Sequence, residues 1–168
     1  MTYIGSILSE DYFRVECFDK GGNLKWAETI KNLVVNVGLN DALDKYFRGS
    51  TYTASHFVGL TAATPTVAAA DTMASHAGWT ESVVYSNATR PAYTPGTVSG
   101  GSVDNSASKA SFTINAGGTV GGAFLATDGT KSGTTGTLYG GGAFAGGNRA
   151  VVSGDTVNVT VTATMAAA

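Results

Sequence analysis

The sequence predicts a mainly β fold, a β-sandwich or jelly-roll-like domain with an N-terminal β-hairpin and one short amphipathic helix. Residues 12–18 alternate between apolar and polar side chains, which is the period of a strand. Residues 39–47 have a helical period instead. From Pro91 to Ala168, short runs rich in Val, Thr and Phe are separated by glycines and carry only six charged side chains. Many short strands separated by turns are typical of a sandwich, jelly roll or barrel.

The first predicted element is the hairpin. Along residues 12–18, Arg14 and Glu16 fall on one side and apolar residues on the other. Residues 19–23 then supply Asp, Gly and Asn, which favour turns and tolerate positive φ. A second strand begins at Leu24, so the pattern predicts two antiparallel strands.

The next element is the helix, which we expect to pack on a sheet. Asn36 is placed to be the N-cap, and Gly49 is placed to end the helix in a left-handed conformation. The apolar side chains recur with a spacing of three or four and share one face. They are Leu39, Ala42, Leu43, Tyr46 and Phe47. We expect this face to be buried.

The remaining elements are short strands and one long loop. Residues 66–80 predict a loop with a short helical turn, because they are Ala-rich without a clear period. The clearest strand is Thr156–Met165, where valines alternate with polar residues. Other predicted strands are 56–61, 83–85, 97–103, 110–114, 119–127, 136–139 and 151–152. We interpret the whole chain, 1–168, as a single domain with three portions. These are an N-terminal arm and strand (1–23), a hairpin, helix and loop portion (24–90) and a glycine-rich β portion (91–168).

The composition argues against several classes of protein. Charged residues make up 13% of the chain, about half of the roughly 25% usual in globular domains, and the net charge is -2. No basic run favours nucleic-acid binding, and no apolar run is suited to a membrane. Low charge leaves little repulsion between copies, which favours self-assembly. The single cysteine, Cys17, excludes an intrachain disulfide, and its place in the alternation predicts a small buried residue.

We predict no catalytic, cofactor-binding or metal-binding residues. Phosphate-binding and nucleophile-elbow motifs are absent from the sequence, and it contains only two histidines. Asp71, His76 and Glu81 are conceivable metal ligands, but a spacing of five residues fits neither one helix face nor a known ligand motif. We therefore interpret them as loop side chains that bond the backbone, with Trp79 anchoring the loop in the core or an interface.

Large aromatic residues are the candidates for a protein interface, with ordinary core or rim packing as the alternative. Tyr and Trp combine a large apolar area with one polar group, which suits protein contacts. The candidate interface residues are Trp26, Tyr52, Trp79, Tyr93 and Tyr139.

Several segments resemble small structural proteins of tailed bacteriophages. The most specific is Ala70–Glu81, which is followed by Arg90–Pro91. The others are 32–41, 57–61, 106–114 and 154–161, so that the resemblance covers roughly residues 24–165. It implies a β-sandwich or jelly roll incorporated in a virion, most specifically a capsid cement (decoration) protein, and it carries over no catalytic residues.

The resemblance sets the functional expectation. We expect a protein made in the host cytoplasm that binds the major capsid protein on the outer shell and stabilises the phage head. We also expect a homo-oligomer, with a dimer favoured, because a two-fold assembly bridges symmetry-related capsomers. A phage tail or fibre protein, which needs the same β-rich oligomer, stays open, as does a carbohydrate-binding module with aromatics along one concave face.

Overall fold

The computed structural model describes residues 12–52 and 55–165, and the predicted arm before Tyr12 lies outside them. Within these ranges the chain forms thirteen strands, one α-helix and one short 3-10 helix at Ser106–Ser108. The strands are β1 (Tyr12–Phe18), β2 (Leu24–Lys31), β3 (Leu33–Val34), β4 (His56–Thr61), β5 (Glu81–Ser82), β6 (Ala92–Tyr93), β7 (Ser102–Asp104), β8 (Ala110–Thr113), β9 (Gly118–Val120), β10 (Gly122–Ala126), β11 (Leu138–Ala143), β12 (Arg149–Val151) and β13 (Thr156–Thr164). The α-helix, α1, spans Asn36–Phe47. No helix of the described residues has the length and apolar character needed to cross a membrane.

The first sheet is built around the two clearest strands of the sequence. Its order is β2-β1-β13-β7, and β8 also pairs with β13. The predicted hairpin is confirmed, since β1 and β2 pair from Tyr12 opposite Lys31 to Phe18 opposite Leu24. The Asp19 carboxylate closes the turn by accepting hydrogen bonds from the backbone N–H groups of Gly21 and Asn23 at 2.8 and 2.9 Å.

The second sheet packs against the first. Its order is β3-β11-β10-β4-β5, with β6 also paired to β4, and β9 and β12 form a separate ribbon. The pairings are antiparallel. The main core draws Phe13, Val15 and Phe112 from the first sheet and Val58 and Leu60 from the second. This arrangement confirms the mainly β, sandwich-type prediction, whereas a jelly-roll connectivity is not confirmed.

A second apolar cluster covers the other side of the second sheet. Trp79 and Met73, from the long loop after β4, pack with Phe124 and Leu138 of the sheet. Gly59 makes this possible, because a Cβ at that position would overlap the ring of Phe124. The predicted loop is confirmed, but its expected helical turn is replaced by a bridge between Thr72 and Ser75.

Three strand predictions need correction. Of the strand predicted at 97–103, only residues 102 and 103 lie in a strand, β7, because residues 98–101 form an irregular turn with positive φ at Gly100 and Gly101. The strand predicted at 83–85 is wrong: the strand is β5, and Tyr85 makes an isolated bridge with Ile114. The strand predicted at 119–127 is divided at Gly121 into β9 and β10. Gly121 donates its N–H to the carbonyl of Thr61 and lies against the backbone after β4, so it cannot continue one straight strand.

The helix forms where the sequence predicts it, but it is rotated about its own axis relative to the predicted orientation. Its apolar face was expected in the core, yet Leu43, Tyr46 and Phe47 are 51%, 83% and 65% exposed. The buried residue of α1 is Gly38, which lies on the backbone of Tyr139 in β11. The predicted N-cap is also wrong, because Asn36 is the first helical residue and the capping position is Val35, which makes no side-chain cap.

We predict that Gly38→Ala destabilises the fold. A Cβ at Gly38 would lie 2.6 Å from the carbonyl oxygen and 2.8 Å from the Cα of Tyr139, so the helix must move away. We expect a loss of about 1–3 kcal/mol in the free energy of unfolding, measured by urea denaturation. In an exposed helix, replacing Gly by Ala is stabilising by up to about 1 kcal/mol. The sign of the change in the free energy of unfolding therefore tests the contact between Gly38 and Tyr139.

Gly117→Ala is the matched control for Gly38→Ala. Nothing lies within 4 Å of a Cβ built at Gly117, and its φ is not positive. We expect its free energy of unfolding to stay within about 0.5 kcal/mol of the original protein. A Gly38→Ala variant as stable as this control would show that α1 does not rest on β11.

Candidate functional site

The exposed apolar side of α1 is the candidate site. We call Leu43, Tyr46 and Phe47 the α1 face. The rings of Tyr46 and Phe47 meet edge to face, with their centroids 5.0 Å apart. Exposed aromatic groups on a well-packed domain are typical of protein-interaction surfaces.

Polar contacts on the inner side of α1 fix this orientation. The carboxylate of Asp41 accepts a hydrogen bond from the Tyr139 hydroxyl. The ammonium group of Lys45 donates to the carbonyl of Thr51 at 2.6 Å. Gly49 then ends the helix at a φ of 69°, as its position predicted. Because these polar groups face the body of the protein, the apolar side chains on the other side of α1 face solvent.

An apolar groove borders the helix on one flank. It has a volume of about 330 Å³ and lies between α1 and the end of the first sheet. Small and apolar residues form much of its wall, and Val98 and Met165 are exposed beside it. The groove lining includes Val34, Gly38, Ala42, Val98, Tyr139 and Met165. The apolar surface therefore extends beyond the helix.

A charged pair borders the other flank. Arg48 donates to the carboxylate of Asp44 at 2.9 Å, and the Arg48 side chain is 82% exposed. The nearby Ser50 side chain, followed by the charges of Arg48 and Lys45, lowers the pKa of Asp44. The α1 face thus has a charge of each sign one helical turn apart along its edge.

Three of the five predicted interface residues gather around His56. The rings of Tyr52 and Tyr139 lie 6.5 and 4.9 Å from the imidazole, measured between centroids. Tyr93 is paired with His56 across β6 and β4. Tyr139 connects this group to α1 through Asp41, and Tyr52 is exposed. The structure therefore places Tyr52, Tyr93 and Tyr139 beside His56, and of these Tyr139 contacts α1 at Gly38 and Asp41.

The two tryptophans lie elsewhere. Trp26 is half-buried against Phe144, with its indole N–H donating to the carbonyl of Ala150 at 3.3 Å. Trp79 is buried in the second cluster, stacked on His76 at 3.8 Å between centroids. Trp79 therefore anchors its loop from the core side, one of the two roles that the sequence suggested for it.

Comparison with known proteins does not assign the chain to a family. No family model, curated protein or solved structure matches this chain. The residues of the chain itself therefore carry the functional argument.

The acidic and histidine side chains of the long loop do not converge on one point. Asp71 accepts from the Trp79 indole at 3.2 Å, and His76 bonds the Trp79 carbonyl through Nδ1 at 3.1 Å. Glu81 instead pairs with Arg90. Among residues 12–52 and 55–165, no group of three or more His, Cys, Asp or Glu side chains is arranged to hold a metal ion.

Glu81 of β5 and Arg90 form a buried ion pair. Both of its side chains are more than nine-tenths buried, and two parallel hydrogen bonds of 2.9 and 2.8 Å join them. Arg90 also donates to the carbonyls of Asp128 and Gly133, while Glu81 accepts from the backbone N–H of Ser132. These further hydrogen bonds hold the 128–133 loop in place.

The α1 face was not predicted from the sequence, because the helical period assigned its residues to the core. The available signal was the pair of small residues Gly38 and Ala42, spaced four apart on the opposite side of α1. Small residues at that spacing let a helix approach a neighbouring backbone closely. An apolar period alone does not tell which face is buried.

We predict that Glu81→Gln destabilises the fold by about 3–5 kcal/mol, because it leaves the buried guanidinium of Arg90 without its counter-charge. Urea denaturation measures the loss. The double variant Glu81→Gln/Arg90→Met should lose less than the sum of the two single variants, because it removes both charges. Additive losses would show that the two charges do not interact.

We also predict that His56 makes stability depend on pH. Burial lowers the pKa of His56, while the charge of Asp41 acts in the opposite direction. The folded chain then binds a proton less readily than the unfolded chain, so stability is full above the unfolded value of about 6.5 and falls as the pH drops below it. The loss of unfolding free energy between pH 7 and 5 should be smaller in His56→Gln. Equal slopes for the two proteins would contradict the assignment.

Proposed function

We propose that this chain is a capsid cement protein of a tailed bacteriophage, which binds the major capsid protein on the outer shell and stabilises the head. The observation that carries the proposal is the α1 face, a set of large apolar side chains left in solvent by a protein whose two cores are filled. The resemblance of five segments to phage structural proteins indicates that the assembly is a virion.

The properties of the surface support an assembly role. Aromatic residues dominate the energetic centres of protein interfaces, and Tyr46 and Phe47 are the most exposed large apolar side chains of α1. Ten basic and twelve acidic residues leave the chain almost neutral, so many copies can lie side by side with little repulsion. A cement protein needs both properties.

Stabilisation of the shell follows from linkage. A protein that binds the assembled shell but not the free subunits favours the shell, by about 2.7 kcal/mol per site when its free concentration is one hundred times its dissociation constant. A dimer that holds two symmetry-related capsomers adds avidity, which raises affinity by roughly 10²–10⁴-fold without new contacts. Small, reversible contacts are therefore sufficient for tight decoration.

Co-sedimentation with undecorated capsids tests the proposal. We expect saturable binding, together with a rise in the temperature at which the capsids break open. The variant Tyr46→Ser/Phe47→Ser should bind at least tenfold more weakly, because it removes the aromatic area of the α1 face. Circular dichroism checks that this variant is folded.

Leu24→Ser is the matched control. Leu24 is 55% exposed, like Leu43, but it pairs with Phe18 at the end of β1 furthest from α1. It should bind capsids like the original chain. Absence of both binding and thermal protection would refute the cement role, and immunogold label confined to the tail would favour the tail or fibre alternative.

A further inference from the structure

We propose that the N-terminal segment, residues 1–11, folds back on its own chain and covers the apolar groove between α1 and the end of the first sheet. Leu43, Tyr46 and Phe47 of the α1 face do not line this groove. Because the groove and the α1 face are separate surfaces, the contact of the segment with the groove does not depend on the proposed function.

The start of β1 lies between the two walls of the groove. Tyr12 pairs with Lys31 of β2 on one side and with Thr162 of β13 on the other. Val34 follows Lys31 by three residues and Thr164 follows Thr162 by two, and both line the groove. Because β2 and β13 run antiparallel to β1, they continue past Tyr12 in the direction from which the preceding chain arrives. That chain therefore enters between the groove walls.

A buried polar atom lies on the path of this segment. Asn32 follows Lys31, so the next pair of the β1–β2 register sets it opposite Asp11. The Oδ1 atom of Asn32 is buried and has no hydrogen-bond partner among residues 12–52 and 55–165. Most buried polar side-chain atoms in proteins are hydrogen-bonded. We expect an N–H group of the segment before Tyr12 to donate to this oxygen.

The segment carries apolar side chains of suitable number and reach. Large apolar residues stand at Tyr3, Ile4, Ile7 and Leu8, and residues 9–11 are polar. The groove of about 330 Å³ is roughly twice the size of a 150 Å³ cavity that holds one benzene molecule, so it accommodates about two such side chains. Leu8 is four residues before β1, a span of about 13 Å when extended, so these residues can reach the groove.

Disulfide cross-linking tests where the segment lies. Ser6→Cys places a thiol among the apolar residues of the segment and leaves them intact. Met165→Cys places a second thiol at the exposed rim of the groove, where the backbone N–H of Met165 donates to the carbonyl of Gly101 at 2.8 Å. We expect the double variant to form an intrachain disulfide under mild oxidation, seen as a faster-migrating monomer on a non-reducing gel. Cys17 does not compete, because it is buried and burial raises the pKa of its thiol to about 12.

Ser6→Cys/Leu33→Cys is the matched control. Leu33 and Met165 are 42% and 54% exposed, and each lies within three residues of a partner of Tyr12. Leu33, however, lies outside the groove lining. A segment held in the groove should form the disulfide with residue 165 at least tenfold faster than with residue 33.

Replacing the apolar side chains tests whether they hold the segment. Adding Ile4→Ser/Ile7→Ser/Leu8→Ser to the Ser6→Cys/Met165→Cys variant should slow the cross-linking at least tenfold. Without the cysteines, the same triple variant should unfold at a lower urea concentration than the original chain, because the groove loses its apolar cover. Leu24→Ser removes a leucine that is 55% exposed elsewhere, and it should leave the urea midpoint unchanged.

Four results would overturn the contact. They are equal rates of cross-linking at residues 33 and 165, a rate that the triple variant does not change, an unchanged urea midpoint, and a disulfide that joins two chains. In the last case a covalent dimer would show that the segment covers the groove of a second copy. Failure to bind capsids while the intrachain disulfide forms would refute the cement role alone.

Discussion

The helix α1 lies directly on the backbone of β11, because Gly38 leaves no side chain between them. This close approach sets the rotation of the helix, and the contacts of Asp41 and Lys45 with the body of the protein then hold it. The opposite side of α1 must face solvent. The exposed aromatic residues, the groove beside them and the charged pair along the edge all follow from that single contact.

Glycine serves close packing elsewhere in the fold as well. Gly59 leaves room for the ring of Phe124, and Gly142 of β11 lies against Ile30 of β2 where the two sheets meet. A chain poor in charge and rich in glycine can bring strands, loops and a helix close together without burying unpaired charges. The buried Glu81–Arg90 ion pair also bonds the backbone of the 128–133 loop, so both charges are paired where they are buried.

The sequence predicted the elements whose burial repeats with a local period. The β1–β2 hairpin and β13 were correct, because alternate side chains such as Val157 and Val159 enter the core. The rotation of α1 was not predictable from its period, since that period groups residues on a face without saying what the face meets. The Glu81–Arg90 pair was missed for a related reason: the partners of a buried charge depend on how distant loops close, and the 128–133 loop is remote in sequence.

The exposed α1 face leaves apolar area whose burial by a partner would be favourable. Full burial of a large apolar side chain is favourable by about 1.5–3 kcal/mol, and the folded monomer forgoes much of this at Leu43, Tyr46 and Phe47. The same free energy becomes available when a partner covers the face. A helix rotated inward would have buried this apolar area within the chain, whereas this helix leaves the area exposed, as the proposed capsid contact requires. The contact of Gly38 with Tyr139 therefore decides which side of α1 is exposed, and with it the surface through which we propose that the chain associates.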